Sequence, residues 1–202
     1  MQAVSVPLSH FKKLESKLWQ PISAIPFSVF RLLFGLLMVF SALRFMALGW
    51  IEDHYLRPQF HFKYWGFEWV EPLSVSGLYS IHILMILAAL GVAFASGMVY
   101  RVAAIVLFLT FAYTELIDIT YYLNHYYYVS IVCVLLCLIP SPPPLFKKGS
   151  TTPMWVLGIF KLQIAIVYIY AGLAKINYDW LVLALPLKIW LPAHDKMPLI
   201  GG

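Results

Sequence analysis

The sequence predicts an all-α integral membrane protein, a bundle of about five transmembrane helices with an interfacial helix at its N-terminus. Two observations carry that class. Hydrophobic residues make up 62% of the 202 and charged residues only 11%, with a mean hydropathy of +0.82; soluble domains run at roughly 45–50% apolar and about 25% charged. Five stretches are also apolar over the roughly 20 residues that a spanning helix needs, or close to it. A net charge of +5 invites a nucleic-acid reading. The basic residues are instead scattered at helix ends and short loops, as the positive-inside rule requires, so no nucleic-acid partner is expected.

Residues 1–25 form an N-terminal cytoplasmic or interfacial segment. Leu8, Phe11, Leu14 and Leu18 recur at helical spacing among Lys12, Lys13 and Lys17, which fits a short helix lying on the membrane surface; a disordered tail is the alternative. No apolar core followed by a small-residue cleavage site occurs there, so no secretory signal peptide is expected. The five candidate spans are 26–48, 77–95, 101–119, 126–139 and 153–176. The fourth is short unless its tyrosines carry it through the interface. Pro140, Pro142, Pro143 and Pro144 stop it, because proline cannot continue a helix.

Lysine and arginine in the short connections set the orientation. Lys12, Lys13 and Lys17 precede the first span, Arg101 stands in the second connection, and Lys147 and Lys148 in the fourth. The third connection, around Asp118 to His125, has no basic residue. The N-terminus is therefore expected in the cytoplasm and Lys175, at the end of the fifth span, outside. The first outer loop, 51–76, is rich in aromatics: Phe60, Phe62, Tyr64, Trp65, Phe67 and Trp69. It is either an anchor at headgroup level or a lid over an outer-leaflet pocket.

Ionisable groups in membrane helices mark functional sites by default. Arg31 and Arg44 lie near the two ends of the first span. His82, Glu115, Asp118, Asn124, His125, Lys175 and Asp179 all fall with Arg44 in the outer half. Cys133 and Cys137 read as small buried hydrophobes. Gln163 to Trp190 reads as a long apolar helix that runs into Lys175, with Asp179 one turn later. Lys175 and Asp179 are then either a solvated interfacial ion pair or, with Lys175 turned inward and desolvated, a neutral amine able to act as a general base. His125, among tyrosines, is either an interface histidine or, with Asn124, a hydrogen-bonding partner for a polar head group entering from the outer leaflet. Such a ligand carries an apolar tail, as a quinone or a lipid does. No P-loop, zinc-protease, C-x-x-C or nucleophile-elbow motif is present, so nucleotide and metal chemistry are not expected.

Phe30-Arg31-Leu32-Leu33-Phe34-Gly35, the aromatic loop of 58–69, Leu123-Asn124-His125-Tyr126-Tyr127, and Ala171-Gly172-Leu173-Ala174-Lys175 followed by Asp179-Trp180 resemble the vitamin K-dependent gamma-carboxylase family, in particular its microbial members with an HTTM-type transmembrane domain. The resemblance spans about residues 27 to 191. It implies an HTTM-like transmembrane domain over 26–202, with further helices and an extramembrane domain beyond the stretch seen here. It also implies a carbon–carbon lyase of the gamma-glutamyl carboxylase type. Oxygenation of a reduced vitamin K-type hydroquinone to its epoxide yields a strong base, which removes a γ-proton from a peptide glutamate; carbon dioxide then adds.

By the same resemblance Lys175 is the initiating base, with His125 as the second catalytic residue. Asn124, His125 and Tyr126 hold the hydroquinone, while Asp179, Trp180 and Arg31 give structural support. The cofactor is the hydroquinone, oxygen and carbon dioxide are co-substrates, and no metal is implied. Membrane lipid, the quinol and a glutamate-containing peptide are the partners. The position where relatives often carry arginine is Lys161 here. Two other functions fit the composition: a non-catalytic quinone- or lipid-binding module, and a small transporter or channel subunit with Glu115, Asp118 and Lys161 along a polar path.

Overall fold

The fold is seen in a computed structural model that describes residues 8–193; residues 1–7 and 194–202, and the side chains of Leu8, Ser9, His10, Phe11, Leu14, Pro186, Pro192 and Ala193, lie outside the described residues. The chain divides into two compact units, 1–158 and 159–202. The first contains α1 (Leu8–Leu18), β1 (Pro21–Ser23), α2 (Ile25–Ala47), α3 (Val75–Phe94), α4 (Gly97–Leu116), α5 (Asn124–Leu138) and β2 (Thr151–Pro153). The helix α6 (Met154–Ala174) begins in the first unit's residues and continues into the second, where α7 (Tyr178–Leu181) and α8 (Leu185–Ala193) follow.

Helices α2, α3, α4 and α6 are long and apolar enough to cross a membrane. The fourth expected span, α5, has 15 residues. At 1.5 Å per residue that is about 22 Å, short of a hydrocarbon core of about 30 Å. The proline run ends it, as its sequence requires. Pro26 sits in the first turn of α2, where its missing N–H has no partner to lose. Ser74 caps α3 by accepting from the Gly77 N–H at 3.3 Å. Gly97, at φ +64°, turns the chain directly from α3 into α4, a conformation that glycine adopts without steric cost.

Within the first unit each helix packs on the next: α2 on α3, α3 on α4, α4 on α5. Lipid supplies no hydrophobic drive between helices, so close packing must hold them together. Two glycines permit it. A Cβ on Gly35 would lie 2.6 Å from the Ala89 carbonyl oxygen, and one on Gly91 would lie 2.5 Å from the Ala103 Cβ.

Arg31, fully buried on α2, ties the end of this unit where α3 meets α4. Its guanidinium donates to the carbonyls of Val92 and Ala95 at the end of α3, and to that of Pro143 at 3.2 Å. The Tyr100 ring lies 5.9 Å away, and the Tyr100 hydroxyl in turn donates to Leu136 O at 3.1 Å. One side chain thus joins α2, α3 and the proline segment after α5.

Two features differ from the sequence expectation. The stretch from Gln163 to Trp190 is not one helix. It breaks after Ala174 because Asn177 competes for the backbone: its side chain donates to Ala174 O and accepts from Trp180 N, starting α7. The second is a two-stranded antiparallel ladder that pairs Pro21–Ser23 with Thr151–Pro153. It bonds the chain before α2 to the chain before α6, a pairing that two three-residue segments 130 positions apart do not announce locally.

Candidate functional site

A cavity of about 210 Å³ opens in the first unit, at the end where α2 finishes, α3 starts, α4 finishes and α5 starts. From α2 come Met38, Ser41, Ala42 and Phe45; from α3, His82 and Met85; from α4, Phe111, Thr114 and Glu115. The connections close it with Trp50, His54 and Tyr55 on one side and Asp118, Tyr121 and Leu123 on the other, beside Tyr126 from the first turn of α5.

The loop after α2 explains why so many of these side chains converge. Glu52–Leu56 form a π-helix, a wider turn that is frequent at functional sites. Ile51, Tyr55, Val70, Leu78 and Ile117 make a buried apolar cluster beneath it. Lys63 donates to Val70 O and to Ile117 O, and the Ile119 N–H donates to Phe62 O at 2.8 Å. The aromatic loop is therefore packed onto the ends of α3 and α4. Its outer aromatics still point away, with Trp65 95% exposed.

Phe45 is the centre of the aromatic wall. Its ring stacks on Tyr55 at 5.8 Å and on His82 at 5.3 Å, lies 5.4 Å from His54 and meets Trp50 edge-on at 5.5 Å. Arg44 covers the Trp50 ring at 4.7 Å. His54 meets Tyr121 edge-on at 4.1 Å. Burial pushes the Tyr55 phenol well above its ordinary range, and the charge on Glu115 adds to the shift.

The polar groups are held differently. Asp118 is buried, and its Oδ1 accepts from the Thr120 N–H at 2.9 Å and the Thr120 hydroxyl at 2.8 Å, which starts the 3-10 turn Ile119–Tyr121. His54 Nδ1 lies 2.8 Å from Trp50 O and His82 Nδ1 2.9 Å from Leu78 O. Glu115 has no hydrogen-bond or ion-pair partner among the described residues. No group of three or more histidine, cysteine or acidic side chains able to hold a metal ion occurs among the described residues.

The residues singled out from the sequence fall in three places. Asn124, His125 and Tyr126 share the first turn of α5. Tyr126 lines the cavity, whereas Asn124 and His125 are exposed beside it, the His125 ring 4.5 Å from that of Tyr126. Lys175, Asp179 and Trp180 belong to the second unit. Lys175 is exposed, and its ammonium stands 5.1 Å above the Trp180 ring rather than against Asp179. Arg31 lies at the far end of the first unit from the cavity.

Sequence reasoning passed over Phe45, Trp50, His54 and Tyr55. The available signal was His54 itself, an ionisable residue just past the end of a span and four positions beyond Trp50. Only a wider helical turn there brings it to the same cavity as His82.

A family model described as HTTM domain matches residues 19–202. No solved structure matches the chain.

Proposed function

The chain belongs to the HTTM domain family, and from that premise we propose that it is a vitamin K-dependent gamma-carboxylase-type membrane protein whose first unit holds the ring of a hydroquinone. HTTM domains are found in vitamin K-dependent carboxylase-type proteins. The observation that carries the reading is the cavity, with aromatic walls and a few convergent polar groups, at one end of four packed helices. A cavity of about 150 Å³ holds benzene, so one of about 210 Å³ suits a substituted ring.

When bound, the hydroquinone supplies, through its oxygenation, the strong base that deprotonates a peptide glutamate before carbon dioxide adds. The protein's part is to bind and orient the ring. Phe45 and Trp50 offer faces for stacking, and Tyr126 joins the cavity to the Asn124–His125 turn. Lys175 is the base by resemblance alone. Basic residues concentrate in the N-terminal segment and in the second and fourth connections, a pattern that supports an outer position for the cavity end and a cytoplasmic N-terminus.

The test uses the protein in nanodiscs, supplied with a prenylated naphthohydroquinone, oxygen, bicarbonate and a glutamate-containing peptide. Epoxide is read by mass spectrometry and carbon dioxide fixation by isotope. Both products are expected, falling by about 10²- to 10⁴-fold in Lys175→Ala. Epoxide without fixation removes the carboxylation half of the proposal, and no epoxide removes the enzyme.

The exposure of Lys175 favours a second reading: a non-catalytic quinone- or lipid-binding module. Ligand affinity would then survive Lys175→Ala unchanged, with no epoxide formed.

A further inference from the structure

The end of the first unit opposite the cavity gathers charges of one sign. Lys12, Lys13 and Lys17 belong to α1, and Lys147 and Lys148 to the turn before β2; all five are exposed. Glu15 is the only acidic residue from Leu8 to Ala47, and none occurs from Tyr126 to Met154. None of the five ammonium groups has an ion-pair partner among the described residues. The positive-inside rule asks only that such charges share one side of the bilayer. The fold does more, because it holds the two sets of lysines side by side. Gln20 O, just after α1, accepts from Met154 N at 2.9 Å, and Ala24 N donates to Ser150 O at 3.1 Å. Between those two bonds Pro21–Ser23 pairs with Thr151–Pro153. The Trp19 ring meets that of Trp155 edge-on at 6.1 Å, which ties the end of α1 to the residues after β2. The turn is fixed as well: Lys147 N donates to Pro144 O, and the Ser150 N–H and hydroxyl both donate to Lys147 O.

We propose that α1 and the turn at 144–150 form one binding surface for the headgroups of anionic phospholipids, clamped together by the β1–β2 ladder. The surface uses no residue of the cavity and stands apart from the hydroquinone reading. Lipid is the partner because of where the charges lie and what lies beside them. The spans α2 and α6 begin directly after the two strands, at Ile25 and Met154, so the ladder sits at the membrane surface. Trp19 and Phe146 stay exposed next to the lysines, and aromatic rings in that position settle at headgroup level. Lysines so close to the start of a span reach the lipid phosphates well within the screening length of about 10 Å at 0.1 M salt. Interfacial binding strengthens with both apolar area and attraction to anionic lipid. The sequence of α1 supplies the first by placing apolar residues at helical spacing among its lysines; the turn adds two more cations to the second.

The experiment is native mass spectrometry of the full chain from micelles that contain equal amounts of phosphatidylglycerol and phosphatidylcholine with the same acyl chains. The ratio of the two lipids retained on the protein is the readout. Wild type is expected to retain the anionic lipid at least about fivefold more than the zwitterionic one, and the preference should shrink as salt is raised. Two variants divide the surface: Lys12→Gln, Lys13→Gln and Lys17→Gln together, and Lys147→Gln with Lys148→Gln. Each is expected to lower the ratio by about half or more, and the two sets combined should bring it close to one. Arg57→Gln, an exposed cation at the cavity end paired with Asp53 at 2.6 Å, is the control and should leave the ratio unchanged.

Equal retention of the two lipids by wild type overturns the proposal. A preference that only one of the two lysine sets lowers overturns the shared surface. An equal fall in Arg57→Gln would show that net charge, rather than this surface, attracts the lipid, and overturns it too. All five lysines are exposed, so their replacement leaves the packed helices untouched, and the wild-type comparison needs no variant at all.

Discussion

Arg31 and Glu52 illustrate two ways in which a polar side chain survives beside a membrane. Arg31 is wrapped in carbonyls from α3 and the proline segment, so its charge is compensated by hydrogen bonds rather than by a carboxylate. Glu52, at the start of the π-helix, accepts a hydrogen bond from the Tyr79 hydroxyl at 2.6 Å. That bond, with backbone help, holds the Glu52 carboxyl below its ordinary value of 4.5. A depressed carboxylate pKa contributes stability above the unfolded value and loses it as pH falls through the folded one. Tyr79→Phe should therefore lower the melting temperature at pH 6, and the gap from wild type should close as pH drops below 4.5. A gap that stays constant down to pH 3 would show that the hydrogen bond favours neither protonation state.

Among elements, the contact of α2 with α3 matters most, because both contribute walls to the cavity. It depends on Gly35, where an added Cβ would meet the Ala89 carbonyl and the Ala93 Cβ at 2.6 and 2.8 Å. Those neighbours are backbone and a short side chain on a packed helix, so neither can swing aside. Gly35→Ala is expected to cost about 1–3 kcal/mol, the usual range for overpacking, and to lower the melting temperature in nanodiscs. Gly158, with nothing within 4 Å of a built Cβ, is the control: Gly158→Ala should be neutral or slightly stabilising through helix propensity. Equal effects at the two sites would mean that helix packing at Gly35 is not limiting. The π-helix is the other decisive element, since it alone carries His54 and Tyr55 to the cavity.

For the whole molecule, the charge pattern makes a prediction that cysteine labelling can check. With the N-terminus in the cytoplasm, Gln59→Cys in the loop after α2 should react with an impermeant maleimide in intact cells. Lys148→Cys, before β2, should react only after permeabilisation. Both residues are exposed, so access depends on the side of the membrane alone. The reverse pattern would put the cavity end in the cytoplasm and with it the entry of its ligand.

The sequence by itself determined the class, the spans and the family. Those signals are local: apolar runs of membrane length, a proline run that stops α5, and motifs such as Asn124-His125-Tyr126 that need no partner to be recognised. It also marked His82, Glu115 and Asp118 as polar residues at one end of the bundle. Only the tertiary structure decided that these three meet His54, Phe45 and Trp50 around one cavity, that Asn177 breaks the helix at Lys175, and that Pro21–Ser23 pairs with Thr151–Pro153. The reason is physical. Hydropathy records whether a residue prefers lipid or water, but which face of a helix meets which neighbour depends on side-chain volume, on glycines that let backbones approach, and on single hydrogen bonds made across long stretches of chain.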